Sequence, residues 1–179
     1  MVAEEADFQW GTGDLRPVGI TDDFCRLMED SGCFYANLAI ETASETMLGR
    51  MQRGYTVNQI RKSLEALSRS KIPFSASLMF GAPGETPETI AESLSVLDDY
   101  AIPNNVWVTI GIYMWTDYQD IVAQARREGI LKEDKDLFRG AVYLSPGLPK
   151  SYLLELLEML KTRQNYLVQF NKPSEAWML

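Results

Sequence analysis

Short β-prone stretches alternate with amphipathic helical stretches along most of this chain, and that alternation confines it to folds built on a parallel sheet. A first extended stretch falls at Phe8–Leu15. Thr21 then caps a helix over Asp22–Ser31, with Phe24, Leu27 and Met28 on one face and Gly32 at its end. Phe34–Ile40 is nearly continuous in apolar residues, as a strand covered on both faces should be. A short helix over Ser44–Gln52 follows, broken by Gly54. Thr56 and Gln59 form a capping-box pattern, and Val57, Ile60, Leu64 and Leu67 repeat at helical spacing down to Lys71. Pro73 leads into a strand ending near Phe80. Thr86 and Pro87 open a helix whose stripe is Ile90, Leu94 and Leu97. Val106–Ile112 is the most β-prone stretch, Tyr118–Glu128 is helical up to Gly129, a leucine-rich helix covers Lys150–Arg163, and Tyr166–Phe170 forms a last short strand.

About four βα units result, half the number in a complete eight-stranded barrel, and four units cannot close. Alternation alone fits equally an open α/β domain of flavodoxin-like size. The pattern loosens in the charged segment Lys132–Asp136, which divides the chain into residues 1–131 and an extension over 132–179.

Several function classes are excluded early. The chain has no histidine, which removes His-based acid–base catalysis, Ser-His-Asp triads and most zinc sites. Its two cysteines, Cys25 and Cys33, stand with seven residues between them, which is not metal-ligand spacing and is too few for a disulfide scaffold. No metal ligands are therefore assigned. Seventeen basic against 25 acidic side chains give a net charge of −8, which disfavours a phosphate backbone as partner. No apolar run is long enough to span a bilayer, and the acidic N-terminus is unlike a signal peptide. Two thiols without a secretory signal point to the cytoplasm.

In parallel α/β folds, loops at the carboxyl ends of strands hold ligands. The loop after Ile40 carries Glu41 and Ser44, and the loop after Phe80 is Gly81-Ala82-Pro83-Gly84-Glu85-Thr86. Glu41 at a strand end can accept hydrogen bonds from a ribose or an ammonium group, or be a solvated loop carboxylate. Gly81 leaves room for a planar base against the backbone, or serves a tight turn. Ser44 can cap the helix that follows. Glu85 and Glu88 suit a helix N-terminus.

Together these stretches resemble the radical S-adenosylmethionine (SAM) superfamily. Cys33–Ser44 followed by Leu48–Thr56 resembles the strand that runs into Gly-Ile-Glu-Ser-Gly and then an Asn-Lys-Gly-His-Thr-like turn. Ser75–Glu85 is similar to the next strand, ending in Gly-x-Pro-Gly-Glu-Thr. Asp14–Ile20 and Val106–Leu131 resemble the flanking units, so the likeness covers roughly residues 10–131. Val142–Pro146 and Val168–Pro173 resemble the tail of a subgroup that often carries a cobalamin-binding domain upstream. The resemblance implies the C-terminal half of a TIM-like barrel with a C-terminal helical extension. It implies an oxidoreductase that binds SAM at a [4Fe–4S] cluster and cleaves it reductively to a 5′-deoxyadenosyl radical. By position, Glu41 and Ser44 with the Gly81 backbone fall to the SAM pocket, Arg16 to cofactor or substrate, and Arg53 to a surface charge.

The departures are equally informative. The Cys-x-x-x-Cys-x-x-Cys loop is absent from these 179 residues, and Ala39 and Ala43 replace the usual glycines around Glu41. Met114-Trp115-Thr116-Asp117 replaces the usual segment after the last strand, leaving Tyr113, Trp115 and Tyr118 to wall a substrate or cover the barrel mouth. The resulting expectation is an enzyme fragment, inactive alone, whose principal partner is the N-terminal half of the barrel and whose small-molecule substrate is unidentified. A non-catalytic binding or scaffolding module is the rival expectation, and an anion-binding loop at Thr86 a third. Strand order puts Phe8–Leu15 and Val106–Ile112 at the sheet edges, with the inward strand faces uncovered. Either two copies pair their open sides, making a homo-oligomer, or segments after Leu131 cap the edges.

Overall fold

A computed structural model describes residues 8–114 and 119–171. Its main sheet has five parallel strands in the order β1 (Trp10–Leu15), β2 (Cys33–Glu41), β3 (Phe74–Phe80), β4 (Val106–Ile110) and β7 (Tyr166–Phe170). Neighbours in the sheet follow one another in the chain, with no reversal of direction. A flavodoxin-like sheet would place its second strand outside the first and create a switch point. The sequential order instead matches a segment of a singly wound barrel, a topology in which crossovers of one hand place the intervening helices on one face.

Those helices are α1 (Asp22–Asp30), α2 (Glu45–Arg50), α3 (Val57–Arg69) and α4 (Pro87–Asp98). The capping box of α3 forms as expected: the Thr56 amide donates to Gln59 Oε1 at 2.9 Å and the Gln59 amide to Thr56 Oγ1 at 3.3 Å. Alternate strand residues bury against this layer: Ala36, Leu38 and Ile40, then Phe74, Ala76, Leu78 and Phe80, then Val106, Val108 and Ile110. Ile60, Leu64 and Leu67 of α3 and Ile90, Leu94 and Leu97 of α4 complete the core.

The opposite face alternates Asn37 and Ala39 with Ser75, Ser77, Met79 and Thr109. Asn37 Nδ2 donates to Ser77 Oγ at 2.7 Å and to the Gly13 carbonyl at 2.9 Å, so this face is tied by polar contacts. Its large apolar members, Trp107 and Leu167, sit side by side at 44% and 42% exposure. The open face thus combines polar contacts with exposed apolar side chains.

Two expectations about the second edge change. The stretch Val106–Ile112 is not one strand, because Gly111 adopts φ +87° and ends β4 at Ile110. Nor is β4 an edge: β7 pairs with it over its full length, from Val106 opposite Tyr166 to Ile110 opposite Phe170. Capping by a segment after Leu131 is the arrangement found there. Helix α6 (Lys150–Thr162) delivers β7 and buries Leu153, Leu156 and Leu160 in the main core.

Between β4 and α6 lies a second, smaller cluster. The antiparallel pair β5 (Ile112–Tyr113) and β6 (Val142–Tyr143), helix α5 (Gln119–Arg127) and a 3₁₀ turn at Asp134–Arg139 surround Met114, Val122, Ala125, Leu131 and Tyr143. Tyr143 is fully buried and its hydroxyl donates to Glu128 Oε2 at 2.6 Å; burial and that carboxylate together push the phenol pKa up. No helix among the described residues is long and apolar enough to cross a membrane.

Candidate functional site

The carboxyl ends of β2, β3, β4 and β7 open onto one cleft of about 970 Å³, within the usual size range of ligand pockets. Its walls come from four places: Glu41 and the turn Arg50–Arg53, then Ala82 and Pro83 after β3, then Thr109 and Gly111–Tyr113, and finally Asp120, Gln124 and Asn171.

Glu41 is the last residue of β2, at φ +63°, a conformation that non-glycine residues rarely adopt. The β2–β3 register shifts between Ala39 and Glu41, as at a bulge, and a bulge re-aims the side chain beside it. Glu41 Oε1 meets Arg53 Nη2 at 2.8 Å with both side chains about a quarter exposed, so Arg53 is a cleft residue and not a surface charge. Arg53 also donates to Tyr55 Oη at 3.3 Å, and Tyr55 in turn donates to the Ile40 carbonyl at 2.9 Å. Burial pushes the Tyr55 phenol up. Arg16 reaches the Arg53 carbonyl at 2.6 Å and lies 5.7 Å from the Tyr55 ring centroid. It braces the turn from behind.

The chain after Glu41 is fixed from the helix layer. Ser93 of α4 donates to the Thr89 carbonyl at 3.1 Å, so its single proton is spent and Thr42 must donate to it, at 3.1 Å, while the Ala43 amide donates at 2.9 Å. Ser44 occupies the N-cap position of α2, yet its side chain makes no cap bond. Its hydroxyl is fully buried without a hydrogen-bond partner and does not line the cleft.

Gly81 has φ +104°, and a Cβ there would lie 2.7 Å from Leu144 Cδ1 and 3.2 Å from the Gly111 amide nitrogen. The room left by its missing side chain is thus filled by the chain itself, and Ala82 and Pro83 are the residues of that loop facing the cleft. The loop is held on three sides. The Ser145 amide donates to the Gly81 carbonyl at 3.0 Å, Arg50 Nη1 donates to the Gly84 carbonyl at 2.6 Å, and the Gly81 and Ala82 amides donate to the buried Glu85 carboxylate.

Of the sequence candidates, Glu41 faces the cleft directly, Gly81 and Arg16 support its walls, and Ser44 is buried behind it. Arg50, Asp120, Gln124 and Asn171 join the cleft without having stood out in the sequence. A signal existed for two of them, since Asp120 and Gln124 stand four apart on one helix face. Tyr113 lines the cleft, while Trp115 and Tyr118 lie outside the described residues.

The fit of an iron–sulfur cluster is a separate matter. Such clusters take thiolates converging on one site. Cys25 is buried on α1, and Cys33 begins the strand that Glu41 ends, about 26 Å away at ~3.3 Å per residue. The described residues contain no group of three or more His, Cys, Asp or Glu placed to hold a metal. This chain's own residues do not fit a cluster.

The sequence model of the radical SAM superfamily matches residues 3–97, more than half of the chain. The chain belongs to the radical SAM superfamily. Among curated relatives, the tRNA-2-methylthio-N(6)-dimethylallyladenosine synthase of Thermus thermophilus is 35% identical over 89 residues, 46% of this chain and 19% of that protein. The synthase of Carboxydothermus hydrogenoformans is 33% identical over 86 residues, 45% of this chain and 19% of its own length. The matched stretch is thus about a fifth of each relative. Among solved structures, the radical SAM methyltransferase TsrM from Kitasatospora setae, with tryptophan and the SAM analogue aza-SAM bound, superposes with a TM-score of 0.71 at 16% identity. The match covers 88% of this chain and 38% of TsrM, which has also been solved with cobalamin and a [4Fe–4S] cluster. Coproporphyrinogen III oxidase (HemN) from Escherichia coli, a radical SAM enzyme, gives 0.58 at 18% identity over 84% of this chain and 31% of its own. At these identities the likeness is one of fold: a partial radical SAM barrel.

Proposed function

We propose that this chain is the portion of a radical SAM oxidoreductase that contributes one wall of the SAM pocket and part of the substrate pocket. The observation that carries this is Glu41, held at positive φ on the last residue of a barrel strand and aimed into the cleft beside the Gly81–Thr86 loop. In this family the cluster and SAM together supply reductive cleavage of SAM; the residues here do the binding. Glu41 accepts hydrogen bonds from ribose or ammonium donors, and Ala82 and Pro83 offer an apolar bed for a planar base. Thr109, Tyr113, Asp120, Gln124 and Asn171 face the other end of the cleft, where a small polar substrate is accommodated. The net charge of −8 supports a small molecule over a polynucleotide. The cluster ligands belong to a partner segment that pairs along the open edge of β1, and the chain alone is inactive. The tail over residues 142–173, which resembles that of a cobalamin-associated subgroup, is the ground for a cobalamin-associated parent.

Two measurements test this. The reading frame upstream of Met1 should encode a Cys-x-x-x-Cys-x-x-Cys motif about 100–150 residues away, the scale of half a barrel. The two parts produced together should take up iron and sulfide and release 5′-deoxyadenosine from SAM under reducing conditions, and Glu41→Ala should abolish the release. A complex that binds neither cluster nor SAM would leave a non-catalytic binding module as the function.

A further inference from the structure

Glu85 is fully buried, and it is anchored only halfway. Its Oε2 accepts the Gly81 amide and, at 3.1 Å, the Ala82 amide, while Oε1 has no hydrogen-bond partner. The same residue's carbonyl accepts the Ser145 hydroxyl at 2.8 Å, and a Cβ on Gly147 would come within 2.6 Å of it. Glu85 thus joins the loop lining the cleft to the 145–147 turn that packs behind it.

The charges around it are few. From α6, Tyr152 approaches, its phenol pushed up first by burial and then by the Glu85 and Glu88 carboxylates. From α4 comes Glu88, an exposed carboxylate held low by its bond with Thr86. From α2, Arg50 goes to the Gly84 carbonyl and makes no ion pair with Glu85. The 145–147 turn brings only a hydroxyl and backbone groups. No cation pairs with Glu85 among the described residues.

We propose that Glu85 is a proton-operated latch: uncharged, its carboxyl stays buried under the cleft-lining loop, and ionised, it favours conformations in which that loop opens to water. The physical reason is linkage. A buried carboxylate with no counter-cation is disfavoured against the same group in water, so conformations that expose Glu85 gain population as it ionises. Burial outweighs the two amide donors and pushes this carboxyl up to about 7. The absence of histidine sharpens the inference: the only other group ordinarily titrating near neutrality is the α-amine, at about 7.7–8. Glu85 would then set how the cleft responds to pH.

The test uses the chain as it is. The amide resonances of Gly81 and Ala82 are followed from pH 5 to 9, together with their hydrogen exchange corrected for its intrinsic pH dependence. The expected result is a shared midpoint within about one unit of 7, with protection falling about tenfold between pH 6 and 8, as linkage of a group shifted by roughly 2.5 units requires. The titration should vanish in Glu85→Gln. Amides that stay flat across the range, or that titrate unchanged in Glu85→Gln, overturn the proposal. If Glu85→Gln does not fold, carboxyl signals of carbon-13-labelled glutamate in the unaltered chain decide. One carboxyl titrating near neutrality supports the latch, and all completing at ordinary acidic pH overturns it.

Discussion

Arg53 pairs with Glu41 at 2.8 Å across the turn that walls the cleft, so the residue best placed to meet a ligand is already engaged. A ligand ammonium or hydroxyl group must share or displace that guanidinium. Because the pair is only partly exposed, its strength should exceed that of a surface pair and still respond to salt. A double-mutant cycle with Glu41→Gln and Arg53→Met should give a coupling of about 1 kcal/mol in chemical denaturation at low salt, smaller at 1 M salt. Zero coupling at low salt would mean the two side chains do not meet in solution.

Gly81 and Gly111 close the carboxyl end of the sheet where side chains have no room. Gly111 has φ +87°, and a Cβ there would lie 2.7 Å from Val142 Cγ1. Gly81→Ala and Gly111→Ala should each destabilise the chain by about 2–4 kcal/mol, through overpacking and a disfavoured backbone conformation. Gly13 is the control, since a Cβ there would meet nothing within 4 Å. Gly13→Ala should change stability by less than about 1 kcal/mol in the same urea titration.

Glu85 makes stability depend on pH with a definite sign. Its folded value, about 7, lies above the ordinary 4.5, so the folded state holds this proton more tightly than the unfolded one. The associated stabilisation is complete below about 4.5 and is lost as pH rises through about 7, by about 3 kcal/mol at most. Glu85→Gln should therefore be relatively more stable against the parent chain at pH 8 than at pH 5. Equal differences at both values would place the carboxyl in water.

The positions of Cys25 and Cys33 predict a colourless protein. Anaerobic treatment with iron and sulfide should leave no stoichiometric cluster, and calorimetry should show no saturable SAM binding at micromolar concentration. Without cluster iron to chelate the methionyl end, the lost contacts correspond to orders of magnitude in affinity, at ~1.4 kcal/mol per tenfold. Micromolar binding lost in Glu41→Ala would show a self-sufficient SAM site.

Much of the fold was legible because its local signals agree. Thr56 with Gln59, and Thr86 with Pro87, mark helix starts that the structure reproduces, and the strand-end loops at Glu41 and Gly81 lie where βα alternation puts them. The choice between a second copy and a segment after Leu131 as the partner of β4 was not legible, because the pairing of Val106–Ile110 with Tyr166–Phe170 is a long-range choice that neither segment encodes alone. The cleft role of Arg53 was hidden for the same reason: a turn arginine beside a glycine looks solvated until Glu41 and Tyr55 are brought to it. The buried state of Glu85 was also invisible. A carboxylate one residue before a helix N-cap ordinarily faces water, and long-range packing, including the Ser145–Gly147 turn against the Glu85 main chain, buries it here.

The strictly sequential sheet also has a temporal consequence. As the chain leaves the ribosome, β1 through β4 can each dock on the strand made just before, so these contacts close over short spans of sequence. Strand β7 cannot join until residues 111–165 have been made, and until then β4 is bare along Val106–Ile110. That apolar, uncharged segment is the one most exposed to pairing with another nascent chain. Truncation before Tyr166 should therefore turn a soluble product into an aggregating one, even though every residue lining the near half of the cleft would remain.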